Sequence, residues 1–118
     1  MTNSTAYVLP GISITPETIT GICCNVYGIS KDEIHSRSRK DNISQPRGMA
    51  LFFIFKFLNY SKTKAGLIFK MRETSARYWI INVPEFSKVD REMRLKFIEI
   101  GHRLGLLGDQ INNYLKGK

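Results

Sequence analysis

Arg72, Glu73, Thr74, Ser75 and Arg77 span six positions and put two guanidiniums, two hydroxyls and a carboxylate on one short run of chain. The chemistry such a set supports is recognition rather than bond making. A guanidinium can bond guanine O6 and N7 together, and hydroxyls serve a base edge or a phosphate. Between residues 56 and 77 stand six cations (Lys56, Lys62, Lys64, Lys70, Arg72, Arg77) against one acid, Glu73. A second basic group lies upstream, at Arg37, Arg39, Lys40 and Arg47. Cations near a fixed scaffold suit contacts to a phosphate backbone. The residues predict a division of labour: Arg72, Glu73, Thr74, Ser75 and Arg77 at base edges, and Arg37, Arg39, Lys40, Arg47, Lys62, Lys64 and Lys70 on phosphates.

No set of residues points to catalysis. His35 and His102 are isolated, the carboxylates show no paired spacing, and no nucleophile has a base nearby. The expectation is no catalytic residue, no metal, no cofactor and no small-molecule substrate. Cys23 and Cys24 are adjacent, so a bridge between them is not expected, and a reduced cytoplasmic, nucleoid-associated protein is the simple reading. The apolar run from Met49 to Leu58 is interrupted by Lys56 and is too short to span a bilayer. The N-terminus lacks the basic flank of a signal peptide, and no membrane partner is expected.

The elements that must hold these residues are helical. Thr15-Pro16-Glu17 predicts a helix start. Ile19, Ile22, Cys23, Val26 and Tyr27 follow at helical spacing, and Gly28 fits a left-handed stop. Ser30 and Glu33 fit a capping box for a second, short helix through Ile34 and His35. Residues 36–45 read as a polar, basic connector. Pro46 is expected to open a third helix to about Leu58, apolar around most of its circumference and therefore buried.

Leu58 to Asn82 reads as a helix-turn-helix, about 61–82. Ser61 caps a short helix carrying Ala65, Leu67, Ile68 and Phe69. Lys70-Met71-Arg72 forms the corner. A second helix runs from Thr74 to about Ile81, capped by Thr74 and Ser75, with Tyr78, Trp79 and Ile81 available for the core. Cationic, hydroxyl-rich first turns of this kind are how such motifs enter a major groove. Val83-Pro84 predicts a break. Residues 86–104 carry an apolar stripe of Val89, Met93, Phe97, Ile100 and Leu104, and a last short helix spans Asp109 to Leu115. Residues 1–14 read as an N-terminal extension, with Val8, Leu9, Ile12 and Ile14 pinned to the body. Residues 15–118 read as one all-α domain.

The charge distribution agrees with that assignment. Of the net +8, residues 31–84 contribute +7 through eleven bases and four acids, whereas residues 1–30 hold no base at all. Charge placed mid-chain lies where a nucleic-acid footprint needs it.

Several strings then acquire a common meaning. They are Tyr27-Gly28-Ile29-Ser30; Ser36-Arg37-Ser38-Arg39; Ile43-Ser44-Gln45-Pro46-Arg47; and Asn59-Tyr60-Ser61 leading into Ala65-Gly66-Leu67-Ile68-Phe69. In this order and spacing the chain resembles the C-terminal DNA-binding domain of DnaA, the bacterial chromosomal replication initiator, from about Ile14 to Asn82 and in pattern to about Leu104. The resemblance implies an all-α, Trp repressor-like helix-turn-helix and binding to double-stranded DNA. The family's Gly-Gly-Arg-Asp-His-Thr-(Thr/Ser)-Val signature corresponds here to Lys70, Met71, Arg72, Glu73, Thr74, Ser75, Ala76 and Arg77. The Arg is kept, the acid is kept in type, the His is Thr74 and the Val is Arg77. The family's minor-groove Arg falls at Asp41, beside Arg39 and Lys40. The resemblance therefore implies the family's scaffold with altered sequence specificity. No Gly-rich phosphate loop ending in Lys-Ser/Thr occurs, so binding without ATPase activity is expected. The alternative is a protein-interaction module of the same fold that has lost DNA binding and engages an acidic replication or regulatory partner.

Overall fold

The computed structural model describes residues 14–116. Seven helices follow one another: α1 (Pro16–Tyr27), α2 (Lys31–Ile34), α3 (Asp41–Leu58), α4 (Lys62–Ile68), α5 (Glu73–Val89), α6 (Arg91–Arg103) and α7 (Gly108–Leu115). There is no strand among the described residues. The expected pinning of Val8, Leu9 and Ile12 lies outside them, while Ile14 packs against the core.

Local chemistry accounts for the first two helices. Thr15 Oγ1 accepts from the Thr18 amide at 3.2 Å and Thr18 Oγ1 accepts from the Thr15 amide at 3.3 Å, with Pro16 just inside the helix. Gly28 closes α1 at φ 70°. The capping box of α2 forms as expected: Ser30 Oγ accepts from the Glu33 amide at 3.0 Å, and Glu33 Oε1 accepts from the Ser30 amide at 2.9 Å.

The start of α3 corrects one expectation. The helix opens at Asp41, five residues before Pro46, so the connector is only residues 36–40. Lys40 is the N-cap and offers no side-chain bond, which leaves no local signal of the start. Pro46 lacks the N–H that would bond the Asn42 carbonyl. Asn42 is exposed, so water can take that carbonyl, while the proline ring is buried. At the other end Asn59 adopts φ 61°, a conformation asparagine tolerates better than most residues.

α3 is the central helix the sequence predicts, burying Ile43, Pro46 and every residue from Gly48 to Ile54. It packs against α1 and α5, and to a lesser extent α2 and α4. Phe53 meets Phe97 of α6 with ring centroids 4.9 Å apart, and Phe52 meets Phe97 at 5.5 Å and Tyr114 of α7 at 6.1 Å. Losing one such buried ring costs about 3–5 kcal/mol. Gly48 faces the Trp79 indole so closely that a Cβ would overlap it. The glycine is what lets α5 lie flat on α3.

α5 carries three further corrections. It does not break at Val83-Pro84 but runs through to Val89, with Pro84 buried inside it. One helical hydrogen bond is lost there, and burial of the ring offsets it. Its buried residues are Ala76, Ile80, Val83, Pro84 and Ser87. Tyr78 and Ile81, expected in the core, are about half exposed, and only Trp79 of that trio is partly buried. The close approaches of Ala76 to Gly66 of α4 and of Trp79 to Gly48 of α3 fix which face of α5 is buried; Ile80, Val83 and Ser87 share that face by helical spacing, whereas Tyr78 and Ile81 do not. Val89 leaves the expected stripe and is 84% exposed at the end of α5, whereas Met93, Phe97, Ile100 and Leu104 are buried. On α4, Leu67 points outward while Ala65 and, at the C-cap, Phe69 are buried. No helix among the described residues is long and apolar enough to cross a membrane.

Candidate nucleic-acid interface

α4 and α5 form the helix-turn-helix, and the turn between them is tightly determined. Ser61 Oγ accepts from the Lys64 amide at 3.1 Å, starting α4. At its end the Gly66 carbonyl accepts from both Phe69 N–H (3.1 Å) and Met71 N–H (2.9 Å), and Lys70 N–H donates to Leu67 O at 3.1 Å. Lys70 adopts φ 56° to make the corner. A Cβ at Gly66 would lie 2.9 Å from the Ala76 Cβ, so the two helices touch at two residues with almost no side chain.

α5 begins with Arg72 as N-cap, whose carbonyl accepts from Ala76 N–H at 3.0 Å. Thr74 and Ser75 were expected to cap; they lie instead inside the first turn, two and three residues past the N-cap. No side chain caps this end. The first-turn amides therefore lack intrahelical partners, and the helix presents its positive pole outward.

Opposite this end lies the loop of residues 36–40. A cleft of about 680 Å³ separates the two. One wall carries His35, Ser36, Arg37, Arg39 and Arg47; the other carries Phe69, Lys70, Met71, Arg72, Thr74 and Ser75. Five of these residues are cations and none is an acid. His35 and Phe69 stack with centroids 5.3 Å apart, joining α2 to the turn.

The loop is ordered by its own alternation of serine and arginine. Ser36 Oγ donates to Glu33 O at 2.6 Å and accepts from Ser38 N–H at 3.3 Å; Ser38 Oγ accepts from Lys40 N–H at 3.3 Å. Arg37 and Arg39 between them are exposed. Arg47, from the buried flank of α3, donates to three carbonyls: Nε to Ile34 at 2.8 Å, Nη1 to Ser38 at 3.1 Å and Nη2 to Ser36 at 2.9 Å. Partial burial pulls its guanidinium below its usual pKa, yet an arginine stays protonated.

The remaining residues singled out in the sequence distribute around this cleft. Arg37, Arg39, Arg47, Lys70, Arg72, Thr74 and Ser75 line it; Lys40, Lys62, Lys64, Glu73 and Arg77 do not. Glu73 and Arg77 are joined instead by an exposed ion pair of 3.1 Å, one turn apart on α5. Lys64 Nζ lies 4.1 Å over the Tyr60 ring. Reading the sequence missed His35, Ser36, Phe69 and Met71 as lining residues. Nothing local marks them, since their place depends on how α2 meets the turn.

Comparison with known proteins agrees with this geometry. The family model described as "Bacterial dnaA protein helix-turn-helix" matches residues 16–78, from the start of α1 into the second turn of α5. The chain is 28% identical over 97 residues to the chromosomal replication initiator protein DnaA of Synechococcus sp. (strain JA-2-3B'a(2-13)), covering 81% of this chain and 21% of that protein. It is 28% identical over 92 residues to the protein of the same description from Gloeobacter violaceus, covering 77% and 21%. To that of Thermosipho melanesiensis it is 32% identical over 89 residues, covering 72% and 20%. The chain thus spans about a fifth of the length of these relatives.

Proposed function

Because the chain belongs to the bacterial DnaA helix-turn-helix family, we propose that it binds double-stranded DNA, with the first turns of α5 in the major groove and the basic loop along the backbone. The observation that carries this is the acid-free, cation-lined cleft between the loop and the uncapped start of α5. A phosphate backbone is the polyanion that suits it: positive side chains on both walls and a helix N-terminus on one.

Base reading falls to Arg72, Thr74, Ser75 and Arg77, all exposed. Arg72 and Arg77 suit guanine, each able to bond O6 and N7 together. Glu73 holds Arg77 through their ion pair and, once Arg77 is on a base, can accept from cytosine N4. Arg77 and Thr74 stand where the family's signature has Val and His, so the preferred sequence differs from the family's. Arg37, Arg39, Lys40, Lys62, Lys64 and Lys70 take phosphates.

Selection of duplexes from a random pool, followed by affinity measurement across a salt series, tests the proposal. Six phosphate contacts give a slope of log K against log salt of about −5. A flat salt plot, or no retardation of any duplex at low salt, would remove DNA as the ligand and leave the basic face to an acidic replication or regulatory protein.

A further inference from the structure

Among the cations that line the cleft, Arg47 is set apart by donating three of its five N–H groups to backbone carbonyls. The three carbonyls it bonds belong to the last residue of α2 and to alternate residues of the loop, at 2.8, 2.9 and 3.1 Å. Its own backbone sits in α3 between the buried Pro46 and Gly48, so these bonds tie the exposed loop to the buried central helix. A planar guanidinium spreads its N–H groups wide enough to span three separated carbonyls; an ammonium, whose donors radiate from one atom, does not. With residues 36 and 38 held by their carbonyls, Arg37, Arg39 and Lys40 project from a backbone whose course is set before any ligand arrives.

We infer that Arg47 is a positioning residue for DNA binding: it shapes the basic loop from which Arg37, Arg39 and Lys40 reach phosphates, and it touches no phosphate itself. This rests on the DNA-binding assignment above. The physical gain is preorganisation, since a loop ordered in advance does not have to be ordered on docking.

The two roles of Arg47, contact or scaffold, separate in a salt series on a mixed-sequence duplex. The proteins compared are wild type, Arg47→Lys, the triple variant R37A/R39A/K40A and the triple variant with R47K added, each verified as folded by circular dichroism. Each phosphate contact contributes about 0.9 to the slope. As a scaffold, Arg47→Lys conserves charge yet weakens binding and lowers the slope by about 1–3, while adding nothing in the triple background. An affinity and slope unchanged by Arg47→Lys, or an equal loss in both backgrounds, overturns the inference. Wild type alone gives a second arm that does not depend on any variant folding. In ¹H–¹⁵N spectra, saturation with duplex shifts the Nε–H signals of Arg37 and Arg39 and leaves that of Arg47 in place. An Arg47 signal that moves as far as theirs overturns the assignment. A wild type that binds no duplex overturns the DNA-binding assignment and this inference together; a wild type with a slope of about −5 and an indifferent R47K overturns only the role of Arg47.

Discussion

Arg72, Arg77 and Lys64 are all exposed cations within one helix-turn-helix, and the proposed DNA binding gives them different work. Arg72 is the N-cap of α5 and Arg77 lies one turn in, the positions proposed above to face base edges; Lys64 stands in the first turn of α4. Replacing Arg72 or Arg77 with Ala is expected to cost about 1–3 kcal/mol on the preferred duplex and to relax selection at one base pair. Lys64→Ala is expected to weaken all duplexes alike and to lower the salt slope by about one. Arg72→Ala binding every duplex as wild type does would displace α5 from the groove. The core supplies a second prediction at this scale. Burial pushes the Cys23 thiol up, and Cys24 and Tyr27 move the same way for the same first cause. A folded-state pKa raised above the unfolded one gives stability that is full below the unfolded pKa and lost above it. For Cys23 the loss starts near its ordinary pKa of 9.0, where only the unfolded chain ionises. Urea titrations between neutral and high pH should show stability falling through that region, with Cys23 contributing up to about 1.4 kcal/mol per pH unit. Cys23→Ala should flatten the fall; an equally steep fall without the thiol would assign it elsewhere.

At the scale of elements, the corner between α4 and α5 is held against a backbone cost. Lys70 sits at φ 56°, where an L side chain costs about 1–2 kcal/mol and where the family's signature carries glycine. The three bonds that Gly66 and Leu67 carbonyls accept in this corner outweigh that cost. Lys70→Gly is therefore expected to stabilise the fold by about 0.5–1 kcal/mol while lowering the DNA salt slope by about 0.9. The two readouts moving in opposite directions is the signature, and a lower urea midpoint for K70G would show that the lysine side chain supports the corner. The helix starts at Thr15, Ser30 and Ser61 were legible in the sequence because a cap is decided by a hydroxyl and the amide three residues ahead. The start of α3 was not, and that of α5 was off by one residue. Lys40 and Arg72 cap with backbone alone, and a proline within each helix reads as a boundary unless its ring is known to be buried.

The whole molecule extends the matched helix-turn-helix by two helices that complete the core. The family match ends at Tyr78, whereas Phe53 and Phe52 are covered from the far side by Phe97 of α6 and Tyr114 of α7. Arg103 of α6, itself paired with Glu99 at 2.7 Å, also donates to Asn25 of α1. A chain ended after Asp90 would leave two central phenylalanines in water and is expected to lose its cooperative thermal transition by circular dichroism; a sharp transition at the wild-type midpoint would show that α1–α5 form a sufficient core.

From the sequence alone came the all-α class, the positions of the capped helices, the cationic tip with Arg72 at its head, and the resemblance now supported by the family match. All of these depend on residues a few positions apart, where hydrogen bonding and helical spacing act without help from the rest of the chain. Packing alone decided which face of α5 is buried, how α3 and α5 run through Pro46 and Pro84, and that Arg47 turns inward to carbonyls nine to thirteen residues away. Those outcomes follow from which surfaces meet: a proline is tolerated where its ring is enclosed, and a guanidinium bonds whichever acceptors the assembled helices bring within its reach.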